Sequence, residues 1–470
     1  MRVGIIGGGI AGISAALELR KRGVASCLFE KEEQLGGHAY AHRVGDRCYD
    51  MGFIFGGYAT YERFRALLDG LGAEIQESYL DFSVTKAGRA VYATGCDAGP
   101  DFRAECDRFL GFCERYRDSS RYNLLPFGAF LRIHGFDRIP GFIERCIIPP
   151  LGLLFITKTG LLQKSTRFVF NQFAGDRRIW AHPYEPIKAW VVRGSSREYT
   201  RRVEEDLAET CRLGTQVTSV TRHPGGVRVG FEDASGARGE ETFDRVILAC
   251  EGAEIPRIVP DLSWSQRWFL DRIPYETYET VLHRDSSHLA EGELERRYNF
   301  LWSEGRYEIA ANLSRIFSYP DAEPVILSVF PEGAPVRHID PDKLLTRRKM
   351  VHLVWSLDVL AFQVLRTYLA LETGGIFFAS SLTNGIGHSH SFKAGRQSVG
   401  RALQATSTRE KLTRPLRLAA SMLIFSLLRA AIRVSDALSG LHPGIPTDDD
   451  EMPATETTEA RETPPAWRST

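Results

Sequence analysis

The sequence has no surplus of charge of either sign. Its 470 residues contain 59 Lys and Arg against 59 Asp and Glu, which gives a formal net charge of zero. A protein whose main partner is nucleic acid needs a basic surplus on one face, because that face must neutralise phosphates. The charge balance therefore argues against nucleic acid as the main partner.

Paired cysteines are also missing. The chain has eight cysteines, but no two of them form a C-x-x-C pair, and several lie in apolar segments. Buried free thiols in a reducing compartment explain this pattern better than disulfide bonds or a zinc site. Since no apolar leader precedes the first strand at Val3, we expect a cytoplasmic protein.

The sequence shows no apolar run long enough to cross a bilayer. Residues 147–156 are interrupted by Pro149, Pro150 and Gly152, and the uninterrupted run at residues 418–428 is too short. Proline and glycine would break a spanning helix. We therefore expect residues 147–156 to form a buried helix or the wall of an apolar tunnel.

The amino-acid composition of the chain changes after residue 405. Residues 406–444 are predicted to form an amphipathic helix, in which arginines accompany an apolar stripe. Such a helix fits two roles: peripheral contact with the inner face of the cell membrane through residues 414–440, or docking on the protein's own surface. Residues 445–470 are acidic and rich in Thr and Pro, and we expect them to be disordered.

The strongest pattern lies at the start of the chain. Residues 3–6 predict a short buried strand, residues 7–12 read GGGIAG, and a helical pattern follows that ends at Gly23. A second strand at residues 25–29 leads directly into Glu30. This order of strand, glycines, helix, strand and acid indicates a dinucleotide site more strongly than an isolated glycine turn would.

Each part of this pattern has a physical role. Gly7 permits the tight turn, Gly9 lets the backbone approach a pyrophosphate, and Gly12 lets the helix pack closely on the strand. The helix N-terminus then offers free N–H groups and a positive dipole end to the phosphates. Glu30 can accept hydrogen bonds from the ribose hydroxyls.

The next segment narrows the identity of the dinucleotide. Residues 30–55 read EKEEQLGGHAYAHRVGDRCYDMGFIF, with Gly36 and Gly37 shortly after the acid and a hairpin turn at residues 45–46. This segment resembles the FAD-binding fingerprint of the flavin amine oxidase superfamily. In that superfamily the double glycine passes close to the cofactor, and a later D-x-G, here ending at Gly52, lies near the flavin ring. A loop and hairpin without a ligand is the alternative.

Other segments fit the same superfamily. Residues 190–203 resemble the return of the chain to the FAD domain, and residues 215–220 predict a strand in which Val217 would lie beside the adenine. Residues 243–250 predict a strand of parallel-sheet type, and residues 374–403 resemble the closing flavin motif. Within the superfamily the chain looks similar to a group of uncharacterised bacterial NAD/FAD-binding proteins. Its layout also resembles the flavin-dependent polyunsaturated fatty acid isomerases.

The closing motif departs from the superfamily in one place. There the strand usually ends in a small residue and an acid, whereas this chain has Ser380 and Ser381. Serine hydroxyls can still donate to a phosphate, but the change weakens any transfer of the amine oxidase mechanism. We expect the following helix to start near residues 390–392, with Ser389 or Ser391 as its N-cap, and to point its N-terminus at the flavin.

Two histidines, His388 and His390, lie in this motif. As metal ligands they would need further partners, and no H-x-x-x-H pattern or acid cluster is nearby in the sequence. A histidine can also act as a base or proton relay. We favour a role for His388 as a polar side chain that lines the flavin site, because the similar bacterial proteins also have a histidine at the matching position. His388 is also the one candidate for a catalytic residue.

The resemblance assigns a set of residues to the cofactor. They are Gly7, Gly9, Ile10, Ala11, Gly12, Glu30, Lys31, Gly36, Gly37, His38, Gly52, Phe53, Ile54, Val217, Ser380, Ser381, Gly387, His388 and Ser389.

The resemblance also implies an architecture, an α/β fold of amine oxidase/glutathione-reductase-2 type. A Rossmann-like FAD-binding domain would comprise residues 1–95, 190–260 and 372–405, and an inserted α+β substrate domain residues 96–189 and 261–371. In the insertions, residues 275–285, 306–314 and 324–330 predict strands. Four aromatic residues there fit either a cavity lining or ordinary packing: Tyr275, Tyr278, Trp302 and Tyr307.

The expected function is that of an FAD-dependent oxidoreductase. It would move a hydride from a substrate C–H to flavin N5, with dioxygen or another acceptor reoxidising the flavin. The apolar insertion favours a small hydrophobic substrate, of fatty acyl or isoprenoid type. A redox-neutral double-bond isomerase, an amine oxidase and a non-enzymatic flavoprotein remain as alternatives. Because no second G-x-G-x-x-G unit is seen, a separate NAD(P)H domain is not expected.

Overall fold

The structure is a computed structural model, and it describes most of the chain up to residue 404. The described residues are 1–96, 99–122, 125–156, 161–162, 164–174, 185–303, 306–320, 323–330, 335–354, 374–385 and 387–404, together with residues 359, 363, 372, 427 and 430. The predicted helix at 406–444, apart from residues 427 and 430, and the predicted disordered tail at 445–470 lie outside them.

The strands are named here in chain order. They are β1 (Arg2–Ile6), β2 (Ala25–Phe29), β3 (Ala41–Val44), β4 (Arg47–Asp50), β5 (Ile75–Leu80), β6 (Phe82–Lys86), β7 (Arg89–Ala93), β8 (Ile187–Val192), β9 (Cys211–Arg212), β10 (Thr215–His223), β11 (Gly226–Asp233), β12 (Arg238–Phe243), β13 (Arg245–Leu248), β14 (Tyr275–His283), β15 (Tyr298–Ser303), β16 (Arg306–Asn312), β17 (Ile326–Phe330), β18 (Leu344–Leu353) and β19 (Ile376–Phe378).

The α-helices are named in the same way. They are α1 (Ile10–Lys21), α2 (Glu62–Leu71), α3 (Pro100–Tyr116), α4 (Phe127–Ile133), α5 (Ile148–Phe155), α6 (Thr166–Phe173), α7 (Arg197–Asp206), α8 (Ile255–Ile258), α9 (Trp264–Leu270), α10 (Leu313–Ile316), α11 (Ser381–Asn384) and α12 (His388–Leu403). A π-helix, Ile143–Ile147, runs directly into α5.

A five-stranded parallel sheet in the order β19-β13-β1-β2-β9 forms the first layer. Its central strands are short and apolar, and Val3, Ile5 and Ile247 are fully buried. Such continuous apolar strands suit a parallel sheet, because helices cover both of its faces. The predictions of a strand at residues 3–6 and of a parallel strand within residues 243–250 are confirmed, since β1 and β13 pair in parallel.

Helix α12 packs against α1 at very short range. A Cβ atom on Gly395 would lie 2.0 Å from the carbonyl oxygen of Ala11, so only glycine allows this approach. The hydroxyl of Ser14 donates to the carbonyl oxygen of Phe392 over 2.8 Å. This contact holds the N-terminal parts of the first and last helices of the layer together.

A seven-stranded sheet in the order β18-β14-β17-β16-β15-β6-β7 forms the second layer. The three strands predicted within residues 261–371 are confirmed as β14, β16 and β17. The sheet also takes in β6 and β7, which precede residue 95, so it extends across the domain boundary predicted there. The helices of residues 100–173 share one apolar cluster with this sheet.

The helix of the closing motif differs from the prediction. It begins at His388 rather than near residues 390–392, and its N-cap is Gly387, not Ser389 or Ser391. Gly387 has φ 108°, a conformation that serine rarely adopts, and this glycine therefore turns the chain into the helix.

The described residues bear on the predictions about the cysteines and about membrane-spanning helices. All eight cysteines are free thiols, but only four of them are buried, whereas buried thiols were predicted. Across the part of the chain that the structure describes, no helix combines the length and the apolarity needed to cross a membrane.

Candidate functional site

The loop between β1 and α1 is shaped by glycines. Gly7 has φ 106° and donates its N–H to the carbonyl oxygen of Phe29 over 2.8 Å. A Cβ on Gly12 would lie 1.9 Å from the carbonyl oxygen of Gly7. Helix α1 starts after Gly9 without a side-chain cap, so the backbone N–H groups of Ile10 and Ala11 have no partner within the helix. This arrangement suits a pyrophosphate.

Glu30 lies at the carboxyl end of β2, beside the same loop. Its Oε2 accepts a hydrogen bond from the N–H of Gly8 at 2.5 Å, and its Oε1 accepts one from the N–H of Glu32 at 3.0 Å. Burial raises the pKa of Glu30, while these two N–H groups oppose the shift. Lys31 is exposed. The carboxylate is thus fixed at the position expected for a ribose acceptor.

The double glycine lies against the loop before α1. Gly36 donates its N–H to the carbonyl oxygen of Gly8 over 2.9 Å. A Cβ on Gly37 would come within 3.1 Å of the Cα of Gly9. Two backbones can approach this closely only where side chains are absent, as the predicted approach to a cofactor requires.

The hairpin places Gly52 and Phe53 next to His38. A Cβ on Gly52 would lie 2.1 Å from the carbonyl oxygen of His38, and that oxygen accepts the N–H of Phe53 at 2.8 Å. Ile54, also predicted to contact the cofactor, is buried in the apolar cluster of the second layer. Val217 is buried in β10 at a bulge, in one apolar cluster with Phe29.

Asp50 and Ser196 form a buried link that the sequence reasoning did not identify. The N–H of Ser196 donates to Asp50 Oδ1 over 2.9 Å, and Ser196 Oγ lies 2.5 Å from the same oxygen. Ser196 Oγ also lies 3.0 Å from the carbonyl oxygen of Ala39. Burial raises the pKa of Asp50 to about 7. A protonated Asp50 can donate to Ser196 Oγ while that hydroxyl donates to Ala39, which anchors the hairpin to the start of α7.

His388 is enclosed by aromatic side chains. Its imidazole stacks on Phe53 with 3.9 Å between ring centroids and 10° between planes. Its Nε2 lies 3.1 Å from the hydroxyl of Tyr199. Burial, followed by the neighbouring His38, lowers the pKa of His388 to about 3. A neutral, hydrogen-bonded ring suits the predicted lining of the flavin site better than a proton-accepting base.

The side chain of Ser389, the residue after His388, contacts another part of the chain. The hydroxyl of Ser389 donates to the carbonyl oxygen of Thr60 over 2.8 Å and so does not cap the helix.

Among the described residues, no group of three or more His, Cys, Asp or Glu could hold a metal ion.

Three polar atoms near the ends of β13 and β19 are buried without a hydrogen-bond partner among the described residues. They are Ser380 Oγ, Glu251 Oε2 and Tyr275 Oη. A Cβ on Gly252 would lie 1.9 Å from Tyr275 Oη and 3.4 Å from the side chain of Leu382, so these segments converge. Buried polar atoms of this kind indicate a bound partner. The Ser380 hydroxyl and the uncapped helices α1 and α12 suit the phosphates and ring of a flavin dinucleotide, whereas the Glu251 carboxylate is an acceptor and does not suit a phosphate. Ser381, the residue after Ser380, begins α11.

His38 connects the double glycine to the second layer. Its Nε2 donates to the carbonyl oxygen of Val351 in β18 over 3.0 Å, and its Nδ1 lies 4.0 Å from Glu251 Oε1. Burial lowers the pKa of His38 and raises that of Glu251 to about 7. Yet the two side chains retain 39% and 28% exposure, respectively. The cleft is defined as this partly exposed region, where the loop after β2 and the end of β13 meet β18.

The aromatic residues predicted in the insertions divide into two groups. Tyr278, Trp302 and Tyr307 are buried in the apolar cluster of the second layer, which fits ordinary packing. Tyr275, in contrast, directs its hydroxyl towards Gly252, beside Glu251. The cavity-lining role therefore remains a prediction for Tyr275.

A sequence model described as "Flavin containing amine oxidoreductase" matches residues 10–353. The chain belongs to this family. It is an FAD-dependent oxidoreductase, as the sequence analysis predicted, and the glycine loop, Glu30 and Ser380 are the groups that fit FAD.

Solved structures of other proteins share this fold. The fatty acid isomerase from P. acnes that produces CLA is 15% identical, with a TM-score of 0.62, and the match covers 86% of this chain and 99% of that chain. Wild-type putrescine oxidase bound to putrescine is 16% identical, with a TM-score of 0.60, and the match covers 86% and 98%. At these identities the likeness shows the fold alone.

One curated relative shares a shorter segment. The 1-hydroxycarotenoid 3,4-desaturase of Flavobacterium sp. (strain P99-3) is 33% identical over 103 residues, which is 22% of this chain and 20% of the desaturase. The match thus spans about a fifth of the length of that relative.

Proposed function

We propose that this flavoenzyme oxidises a C–H bond of a small hydrophobic molecule of fatty acyl or isoprenoid type. Bound FAD would supply the redox chemistry by accepting a hydride at N5, and dioxygen or another acceptor would then take the electrons. The protein's contribution is binding, orientation and exclusion of water.

The observation that carries the proposed substrate class is the apolar layer over the seven-stranded sheet. Helices α3 to α6 join β15 and β16 in one cluster rich in phenylalanine. Helix α5 lies directly on the sheet, because a Cβ on Gly152 would lie 3.2 Å from Phe300 and 3.5 Å from Tyr307. This composition supports the proposed class, because an acyl or isoprenoid chain beside such a layer needs no buried hydrogen-bonding partners, whereas a polar substrate does.

The residues of the first layer would hold the cofactor. The N-terminus of α1 suits the pyrophosphate and Glu30 the ribose. The N-terminus of α12 suits the ring edge on which negative charge develops. His388, already fixed by Tyr199, would orient the ring without exchanging protons near neutral pH.

The names of two relatives agree with an apolar substrate. One is a carotenoid desaturase and the other a fatty acid isomerase. The fold shared with the isomerase also favours a second candidate, a redox-neutral shift of a double bond, in which the hydride returns to another carbon of the same substrate.

Product analysis under two conditions tests the proposal. The holoenzyme would be incubated without oxygen with linoleic acid, squalene or putrescine, each with and without the acceptor dichlorophenolindophenol. Net oxidation predicts product from an apolar probe only when the acceptor is present. Product from linoleic acid without the acceptor would support the isomerase instead, and turnover of putrescine alone would overturn the apolar substrate class.

The membrane contact is also a proposal. We infer it from the arginines and apolar residues of 414–440, because an enzyme acting on a lipid gains from residence at the surface that holds it.

A further inference from the structure

We propose that Glu251 is a catalytic residue of this site: its carboxylate takes a proton from the carbon next to the one that loses the hydride, so the enzyme introduces a carbon–carbon double bond. This inference rests on the proposed function. It goes beyond it by naming the base and by choosing desaturation over isomerisation.

The position of Glu251 is the first observation. The residue closely follows β13, at the carboxyl end of the parallel sheet. Ligands of open α/β sheets bind outside this edge. Its Oε2 is buried and has no hydrogen-bond partner among the described residues, although the side chain keeps 28% exposure. Because Oε2 itself is buried, the exposed part of the side chain lies at its other atoms, and a molecule that approaches Glu251 meets those.

The tautomer of His38 is the second observation. Because Nε2 donates to the carbonyl oxygen of Val351 at 3.0 Å, that nitrogen carries the proton. The lone pair of Nδ1 is then free to accept, and it lies 4.0 Å from Glu251 Oε1. A small movement or one water molecule would close this gap. His38 can thus receive a proton that Glu251 has taken up and act as a positioning and relay residue.

Tyr275 supplies the third observation. Its hydroxyl is buried without a hydrogen-bond partner in the described chain and lies against Gly252. The residue next to Glu251 must be glycine to admit it, since a Cβ there would lie 1.9 Å from Tyr275 Oη. Two polar groups without partners therefore converge on one end of the cleft.

The chemical step balances without any further reactant. The substrate loses a hydride from one carbon to the flavin and a proton from the adjacent carbon to Glu251. The electron pair of the second C–H bond becomes the new π bond, so the substrate is oxidised by two electrons and the flavin is reduced by two. The acceptor of the proposed function then reoxidises the flavin. An isomerase that returns the hydride to the same molecule gives no net oxidation.

The charge state of Glu251 fits a base that works near neutral pH. Burial, followed by the charge of Glu254, raises its pKa to about 7. The titratable or charged groups around it are Cys250 and Glu254 on its own segment, His38 from the loop after β2, and Tyr275 and Tyr278 from β14. His38 is in turn faced by Arg348 and His352 from β18, and His352 by Lys164. Burial raises the pKa values of both tyrosines and lowers that of His352, so these groups stay neutral as Glu251 ionises.

The test compares the holoenzyme with two variants, Glu251→Gln and Glu254→Gln. Glu254 is a matched control, since it is a nearby glutamate that pairs with the exposed Arg257 at 2.9 Å. The first readout needs no substrate: the visible flavin spectrum is recorded against pH. The wild type should show a transition with a midpoint near 7, the Glu254→Gln variant one at lower pH, and the Glu251→Gln variant none.

The second readout is the rate at which squalene or linoleic acid reduces the flavin without oxygen. The rate should rise with pH through the same midpoint, and Glu251→Gln should lower it by roughly 10²–10⁴-fold with little change in half-saturation. The Glu251→Gln variant could lose the spectral transition and still reduce the flavin as fast as the wild type. That result would show that Glu251 is not the base and only contacts the flavin. Failure of every probe to reduce the wild-type flavin would instead overturn the proposed function itself.

Discussion

The hydroxyl of Tyr199 and Nε2 of His388 lie 3.1 Å apart, and this contact joins α7 to the first residue of α12. The imidazole is held on its other side by stacking on Phe53. The start of α12 is therefore fixed by a hydrogen bond and a ring contact from two separate parts of the chain. These contacts fix the direction of its N-terminus relative to α7 and the hairpin.

Replacing His388 tests whether its imidazole only lines the flavin site or also exchanges protons. The variant His388→Phe keeps a ring against Phe53 but leaves the buried Tyr199 hydroxyl without a partner, at a cost of about 1–3 kcal/mol in the free energy of unfolding. The double variant with Tyr199→Phe should recover part of that loss in urea unfolding. Because the pKa of His388 is about 3, the pH profile of flavin reduction between about pH 6 and 9 should keep its shape. Loss of one limb of that profile would show that His388 exchanges protons.

Two glycines of α12 provide a matched pair. Gly395→Ala forces a Cβ within 2.0 Å of Ala11, so we expect a loss of about 1–3 kcal/mol in stability and weaker retention of FAD. Gly400→Ala, in the same helix, meets nothing within 4 Å and should gain about 0.5–1 kcal/mol. Denaturant unfolding and the flavin content after gel filtration measure both effects. Equal behaviour of the two variants would contradict the close packing of α12 on α1.

The Asp50–Ser196 link predicts a pH dependence of stability. Burial raises the folded-state pKa of Asp50 from 3.8 to about 7, so its contribution is full below about pH 4 and is lost as the pH rises through 7. The variant Asp50→Asn carries an amide that does not ionise and can still donate to Ser196. The wild type should therefore lose on the order of 2–3 kcal/mol relative to this variant between about pH 5 and pH 8. Urea unfolding at the two pH values measures the difference; a constant difference would show that Asp50 is ionised throughout.

Glu30 can be tested against an exposed neighbour. Glu30→Gln removes the charge that accepts hydrogen bonds at the end of β2, and we expect FAD to bind about 10- to 100-fold more weakly. Glu33→Gln changes an exposed glutamate of the same loop and should leave binding unchanged. Titration of apoprotein with FAD, followed by flavin fluorescence, compares them. If the wild type and both variants bound FAD with similar affinity, Glu30 would not contact the cofactor.

The membrane contact predicts binding to anionic vesicles. Each Gln substitution of Arg414, Arg417, Arg429 or Arg433 should weaken binding of the full-length protein to phosphatidylglycerol vesicles about fivefold. Phosphatidylcholine vesicles serve as the control, since they lack net charge. Co-sedimentation that is equal for both lipids, or unaffected by the four substitutions, would favour docking of this segment on the protein itself.

The sequence was sufficient for elements governed by local patterns. The glycines of residues 7–12 and the strands β1, β2 and β13 follow from spacing and apolar content, and each lies where predicted. The start of α12 did not follow, because a serine N-cap is the commoner local choice and the turn at Gly387 depends on a positive φ that the letters do not reveal.

The contacts around Glu251 needed the fold. Glu251, His38 and Val351 are far apart in the chain, and each is an ordinary residue in its own segment. Their proximity arises where the loop after β2, the end of β13 and the strand β18 meet. Pairing of Asp50 with Ser196 has the same origin, since neither carries a distinctive local pattern.

The most direct measurement is the visible spectrum of the purified full-length protein, followed without oxygen as linoleic acid, squalene or putrescine is added. The protein should show an oxidised flavin band from the start, and an apolar probe should bleach this band until air is admitted. A protein that binds no flavin, or a band that only putrescine bleaches, would contradict this expectation.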